Sequence, residues 1–151
     1  KAAGAQSLGG LSGKKIVVVG GTTNQKALER ALKKQLVSAT VVTVKNRDEG
    51  VAALEAGTAD ALASDKILLF GLAGKVKDPS KYEILVDDLG FEPYAIVLPR
   101  GDASFRLAVN RALAQIYNSE AIVEVFRRAF GPNASPTPVL EILYGLNAYP
   151  E

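Results

Sequence analysis

Four β-branched apolar residues, Ile16, Val17, Val18 and Val19, run directly into Gly20, Gly21, Thr22 and Thr23, and a helix-patterned stretch opens at Asn24. This order confines the chain to folds in which a buried strand turns sharply into a helix, because glycine tolerates the tight bend and the pattern then changes period. The turn also has chemical content. Threonine hydroxyls and backbone N–H groups at a helix N-terminus gather partial positive charge and suit an anion. It is neither a fingerprint of three spaced glycines nor a phosphate loop, since no Gly-Lys-Ser/Thr follows, so a small carboxylate suits it better than a phosphate chain. An ordinary strand-to-helix turn would read the same way.

The pattern then repeats. Ala27, Leu28, Ala31, Leu32 and Leu36 fall at helical spacing, with Lys26, Glu29, Arg30, Lys33 and Lys34 facing away. A second strand is expected at Thr40 to Val44, a helix at Asp48 to Ala56 capped by Gly57, a third strand at Asp60 to Ala63 and a third helix from Lys66 to Leu72. Strands alternating with helices predict an α/β fold: a mainly parallel sheet flanked by helices, with right-handed crossovers. Lys1 to Gly13, rich in Ala, Gly and Ser, reads as a lead-in. Tyr82 to Val86 and Tyr94 to Leu98 are further strand candidates, the latter bracketed by Pro93 and Pro99 and so an edge or crossing segment. Beyond Gly101 the chain is helical. Asp102 caps a helix carrying Phe105, Val109, Leu113 and Ile116; Ser119 caps one carrying Ile122, Phe126 and Phe130, stopped by Gly131 and Pro132; a last helix spans Pro138 to Tyr144. These helices either cover the sheet or belong against one outside this chain.

Composition narrows the chemistry. With 151 residues and 48% apolar content, one core is the default, and a net charge of +2 does not argue for nucleic acid. The paired basic residues Lys14 and Lys15, Lys33 and Lys34, and Arg127 and Arg128 read as solvated faces. No apolar run is long enough to cross a bilayer, and the N-terminus lacks signal-peptide order, which reads as a soluble or mature chain. Cysteine, histidine, methionine and tryptophan are absent, which removes thiol nucleophiles, the usual triads and thiolate metal sites. No catalytic residue, metal or cofactor is expected. Lack of methionine suggests a processed product or an excised piece.

Ligands of open α/β sheets lie beyond the carboxyl ends of the strands. Three loops qualify: Gly20 to Thr23; Ser64 and Asp65; and Phe91, Glu92 and Tyr94. A carboxylate at Asp65 facing an anion trap at Thr23 fits a free α-amino acid, one pole taking the ammonium and the other the carboxylate. Asp65 is equally placed to cap the helix from Lys66, and the two roles are compatible.

The ordered series Leu11-Ser12-Gly13-Lys14-Lys15, Ile16 to Thr23, Leu54-Glu55-Ala56-Gly57, Asp60-Ala61, Ser64-Asp65, Glu92-Pro93-Tyr94-Ala95-Ile96 and Arg100-Gly101-Asp102 resembles the ligand-binding lobe of family 3 periplasmic solute-binding proteins of polar amino-acid ABC transporters. The resemblance runs from about Leu11 to Gly131. It implies a type II periplasmic-binding lobe over residues 14–98, a lead-in or hinge at 1–13, and helices at 99–151 that would pack on a first lobe. That lobe, with its carboxylate-binding arginine and an aromatic residue against the ligand, has no counterpart before Lys1. The resemblance further implies that Thr23 takes the α-carboxylate, that Asp65 takes the α-amino group, and that Ser64 borders the ligand side chain. The expected ligand-binding set is Gly21, Thr22, Thr23, Ser64, Asp65 and Tyr94. The implied function is capture of a polar amino acid in the periplasm and presentation to a membrane permease, without covalent chemistry. The stretch from Lys75 to Tyr82 and the proline-rich tail resemble the glutamate/aspartate branch, although no Arg or Lys in this lobe stands out as a partner for an acidic side chain. The alternatives are a cyclohexadienyl dehydratase-like enzyme, with Glu92 as a free carboxylate, and a sensor domain. The truncated chain is also expected to dimerise through the apolar faces of Phe105 to Ile116 and Ile122 to Phe130.

Overall fold

β1 (Lys15–Val19) is buried along nearly its whole length, with Val18 fully shielded from solvent, as a β-branched run at the centre of a sheet must be. A computed structural model describes residues 5–90, 92, 94–131 and 135–149. The chain divides into two compact units, Lys1–Pro93 and Tyr94–Glu151.

The first unit is a three-stranded parallel sheet in the order β2-β1-β3, with β2 at Thr40–Val44 and β3 at Ala61–Ala63. Its crossovers are α1 (Thr23–Lys34) and α2 (Arg47–Glu55), and α3 (Lys66–Ala73) follows β3. The pleat sends Ile16, Val18 and Ala63 to one face, where they join Leu28 and Leu32 of α1 in the core. α2 approaches so closely that a Cβ on Gly50 would come within 2.8 Å of Leu62 Cδ1. The expected lead-in contributes to this core as well: a single 3-10 turn, Leu8–Leu11, buries both leucines, and Leu8 N–H donates to Asp87 Oδ2 at 2.8 Å.

Three expectations are corrected. Leu36 does not extend the apolar face of α1; it lies past the helix end with φ 56° and is 92% exposed. There Val37 N–H bonds to Leu32 O (2.9 Å) and Leu36 N–H to Lys33 O (3.3 Å), a C-terminal motif that glycine suits. Leu36→Gly is therefore expected to stabilise the chain by about 0.5–1 kcal/mol in urea unfolding, since relief of left-handed strain exceeds the added chain entropy and no packing is lost. Tyr82 to Val86 and the described residues of Tyr94 to Leu98 are irregular, not strands. Leu85 and Leu89 pack on the core without joining the sheet, so their apolar character records burial rather than pairing. Finally, Ser119 does not cap its helix: its hydroxyl donates to Ile116 O at 3.1 Å.

The second unit is helical: α4 (Ala103–Tyr117), α5 (Ala121–Phe130) and α6 (Pro138–Leu146). Asp102 caps α4 by accepting from Phe105 N–H at 2.8 Å, and Thr137 caps α6. Tyr117 stacks on Tyr144 with ring centroids 5.1 Å apart, and Asn118 donates to Ala148 O at 2.9 Å. Burial, and secondarily the neighbouring Tyr117, holds the Tyr144 hydroxyl above the ordinary phenol range. The core of this unit is thin. Among its described residues the buried apolar ones are Ala114, Pro136 and Ala148, while Phe105, Val125, Val139, Ile142 and Leu146 stand exposed. Pro132, expected to stop α5, lies outside the described residues, and Gly131 closes that helix at φ 103°.

Candidate functional site

Parallel strands deliver their carboxyl ends to one edge, so the starts of α1, α2 and α3 also gather there and align three positive helix ends. Each start is built differently. At α1, Gly21 takes φ 75° and its N–H donates to Gln25 Oε1 at 2.8 Å. Thr22 is the N-cap: its hydroxyl donates to Val19 O (2.7 Å) and accepts from Gln25 N–H (3.3 Å). The hydroxyl of Thr23, exposed on the first residue of the helix, makes no hydrogen bond among the described residues. Thr22 and Gly21 thus shape the turn, and Thr23 is its outward-facing polar group. Thr22→Ala is expected to cost about 1 kcal/mol of stability, read as a lowered thermal midpoint.

At α2, Asn46 Oδ1 accepts from Glu49 N–H (2.9 Å) while Glu49 Oε2 accepts from Lys45 N–H (2.9 Å). This reciprocal cap fixes the first turn and with it Arg47. At α3, Asp65 occupies the N-cap position, yet its side chain makes no capping bond; its carbonyl accepts from Leu68 and Leu69 N–H instead. The carboxylate turns to the neighbouring loops. Oδ1 accepts from Asn24 Nδ2 at 3.3 Å, and Oδ2 lies 3.9 Å from an Arg47 guanidinium nitrogen. Arg47 Nε donates to Ser64 Oγ at 3.2 Å. Asn24, Arg47, Ser64 and Asp65 are therefore one connected cluster contributed by all three strand-to-helix junctions.

The turn of Gly21, Thr22 and Thr23 is thereby joined, through Asn24, to Ser64 and Asp65. Tyr94 opens the second unit, where it is exposed; Phe91 lies outside the described residues, and Glu92 is exposed. Sequence reasoning passed over Asn24 and Arg47. Arg47 sits in the polar stretch Lys45-Asn46-Arg47-Asp48-Glu49, which looks like a solvated loop; the signal was the Asn46 and Glu49 capping pair, which puts residue 47 at a helix start on the edge where the three junctions converge. Among the described residues no cluster of acidic side chains could hold a metal ion, and no helix is long and apolar enough to cross a membrane. Chemically, the cluster offers a carboxylate for a cation, a half-exposed guanidinium for a second anion, and a helix N-terminus with a threonine hydroxyl for a first anion.

No family model matches the chain. It is 28% identical over 130 residues to an L-glutamate/L-aspartate-binding protein of Pseudomonas aeruginosa, covering 86% of this chain and 43% of that protein. A glutamate/aspartate import solute-binding protein of Escherichia coli is 28% identical over 120 residues, covering 80% of this chain and 40% of the relative. Among solved structures, a periplasmic binding protein of an ABC transporter from Brucella ovis with glutathione bound superposes with a TM-score of 0.69 at 24% identity, covering 95% of this chain and 48% of that one. The chain spans about two fifths of the length of the curated relatives it matches.

Proposed function

We propose, from the premise that this chain is a relative of the solute-binding proteins of amino-acid ABC transporters with a periplasmic-binding α/β fold, that it carries one wall of an amino-acid receptor site. The observation that carries the reading is the Asn24 to Asp65 hydrogen bond, which ties the anion-suited start of α1 to a carboxylate on the adjacent junction. Thr23 and the α1 N-terminus take the α-carboxylate, Asp65 takes the α-ammonium, and Gly21 and Thr22 hold the turn in shape. Ser64 borders the ligand side chain. Glutamate or aspartate is the favoured ligand, supported by the relatives that bind them and by Arg47, a cation at the same edge.

In this reading the ligand is closed between two lobes in the periplasm and offered to a membrane permease, with no bond made or broken. The exposed apolar residues of α4, α5 and α6 suit packing on a first lobe, and the same faces would bring two isolated copies together. Calorimetric titration with the common L-amino acids tests the proposal. A protein carrying this chain together with a first lobe is expected to bind glutamate or aspartate at micromolar or lower concentration, and the chain by itself at millimolar concentration. Absence of heat with every amino acid, or turnover of a cyclohexadienyl acid, would overturn it.

A further inference from the structure

The carboxylate assigned to the ligand's ammonium already has a cation beside it. Asp65 is largely enclosed, its side chain 17% exposed, whereas the Arg47 side chain is 42% exposed. Their 3.9 Å separation is an electrostatic pairing without a hydrogen bond, which makes it easy to exchange. Two neighbouring charges are committed elsewhere: Lys66 Nζ bonds Asp88 at 2.6 Å, and Glu49 is bound to the backbone of Lys45 and to Asn46 Nδ2.

We infer that Arg47 stands in for the ligand's ammonium at Asp65 and is drawn off by the second carboxylate of an acidic amino acid, so that binding is an exchange of ion partners. The inference rests on the receptor reading above and adds how that site discriminates. A neutral amino acid brings an ammonium to Asp65 and nothing for Arg47, leaving two cations around one carboxylate. A basic amino acid adds a third. A dicarboxylic amino acid supplies the ammonium and a new partner for the guanidinium together, and every charge ends paired. Because Nε stays bonded to Ser64 Oγ, the guanidinium can pivot toward a ligand while its base remains anchored.

The test is an NMR titration of the chain with L-glutamate and L-glutamine into the tens of millimolar, following the Thr23 and Asp65 amides and the Arg47 Nε–H. The wild-type chain is expected to favour glutamate by at least tenfold, with the Arg47 Nε–H moving only for glutamate. Arg47→Gln should bring the two affinities within about threefold of each other by removing the unpaired cation and its target together. Arg47→Lys should keep a preference for glutamate, because the charge remains. An unchanged glutamate preference in a folded Arg47→Gln chain overturns the exchange and leaves the receptor reading standing. If neither amino acid shifts any of these resonances in the wild-type chain, the receptor reading falls and the exchange with it.

Discussion

Replacing Asp65 with alanine is expected to weaken amino-acid binding at least tenfold, the largest functional effect of any single change in the cluster. A charge-assisted hydrogen bond contributes about 1.5–3 kcal/mol, and each 1.4 kcal/mol is a factor of ten, so removing the carboxylate under a desolvated ammonium cannot be small. The structure separates this effect from unfolding. Because the Asp65 side chain does not cap α3, the substitution leaves that helix its backbone bonds to Leu68 and Leu69 and removes only the links to Asn24 and Arg47. Calorimetry paired with thermal unfolding checks it: affinity should collapse while the midpoint moves little. Unchanged affinity would assign the ammonium to another group.

The largest expected loss of stability follows Leu28→Ala. Leu28 is 1% exposed and meets Ile16, Val18 and Ala63 from α1. Truncation removes buried methyl groups and leaves a void that the β-branched strand beneath cannot fill, at a cost of about 2–5 kcal/mol. Set against a total stability of about 5–15 kcal/mol for a typical domain, that is a severe fraction. Urea unfolding should show a lower midpoint with an unchanged slope. A loss below about 1 kcal/mol would mean that α1 is loosely held, and the turn it anchors with it.

Much of the fold was legible because burial and pairing coincide at its centre. β2 has the same ends in sequence and structure, and β1 adds only Lys15 to the apolar run, since a fully apolar β-branched run and the strand beside it leave few alternatives. Legibility failed where they part. Leu36 fits helical spacing but is itself the residue at which the backbone turns left-handed, and Leu85 packs on the core without a strand partner. In the site, Thr22 and Asp65 were visible as helix-start residues. Arg47 was hidden by its polar neighbours, because hydrophilic sequence does not distinguish a solvated loop from a helix start held on a converging edge. The bonds of Asn24 and Arg47 to Ser64 and Asp65 are long-range, and no local pattern encodes them.

The strand order has a kinetic consequence. β1 comes first in the chain yet lies in the middle, with Ile16 opposite Val41 on one side and Ala61 on the other. Leu8 and Leu11 before it and α1 after it can cover one face early, but neither neighbouring strand is adjacent in sequence, so both hydrogen-bonding edges of β1 stay unpaired until the crossovers have closed over long loops. Assembly should therefore be a late, concerted step, with a nascent chain ending before Ala63 being the species most prone to aggregate.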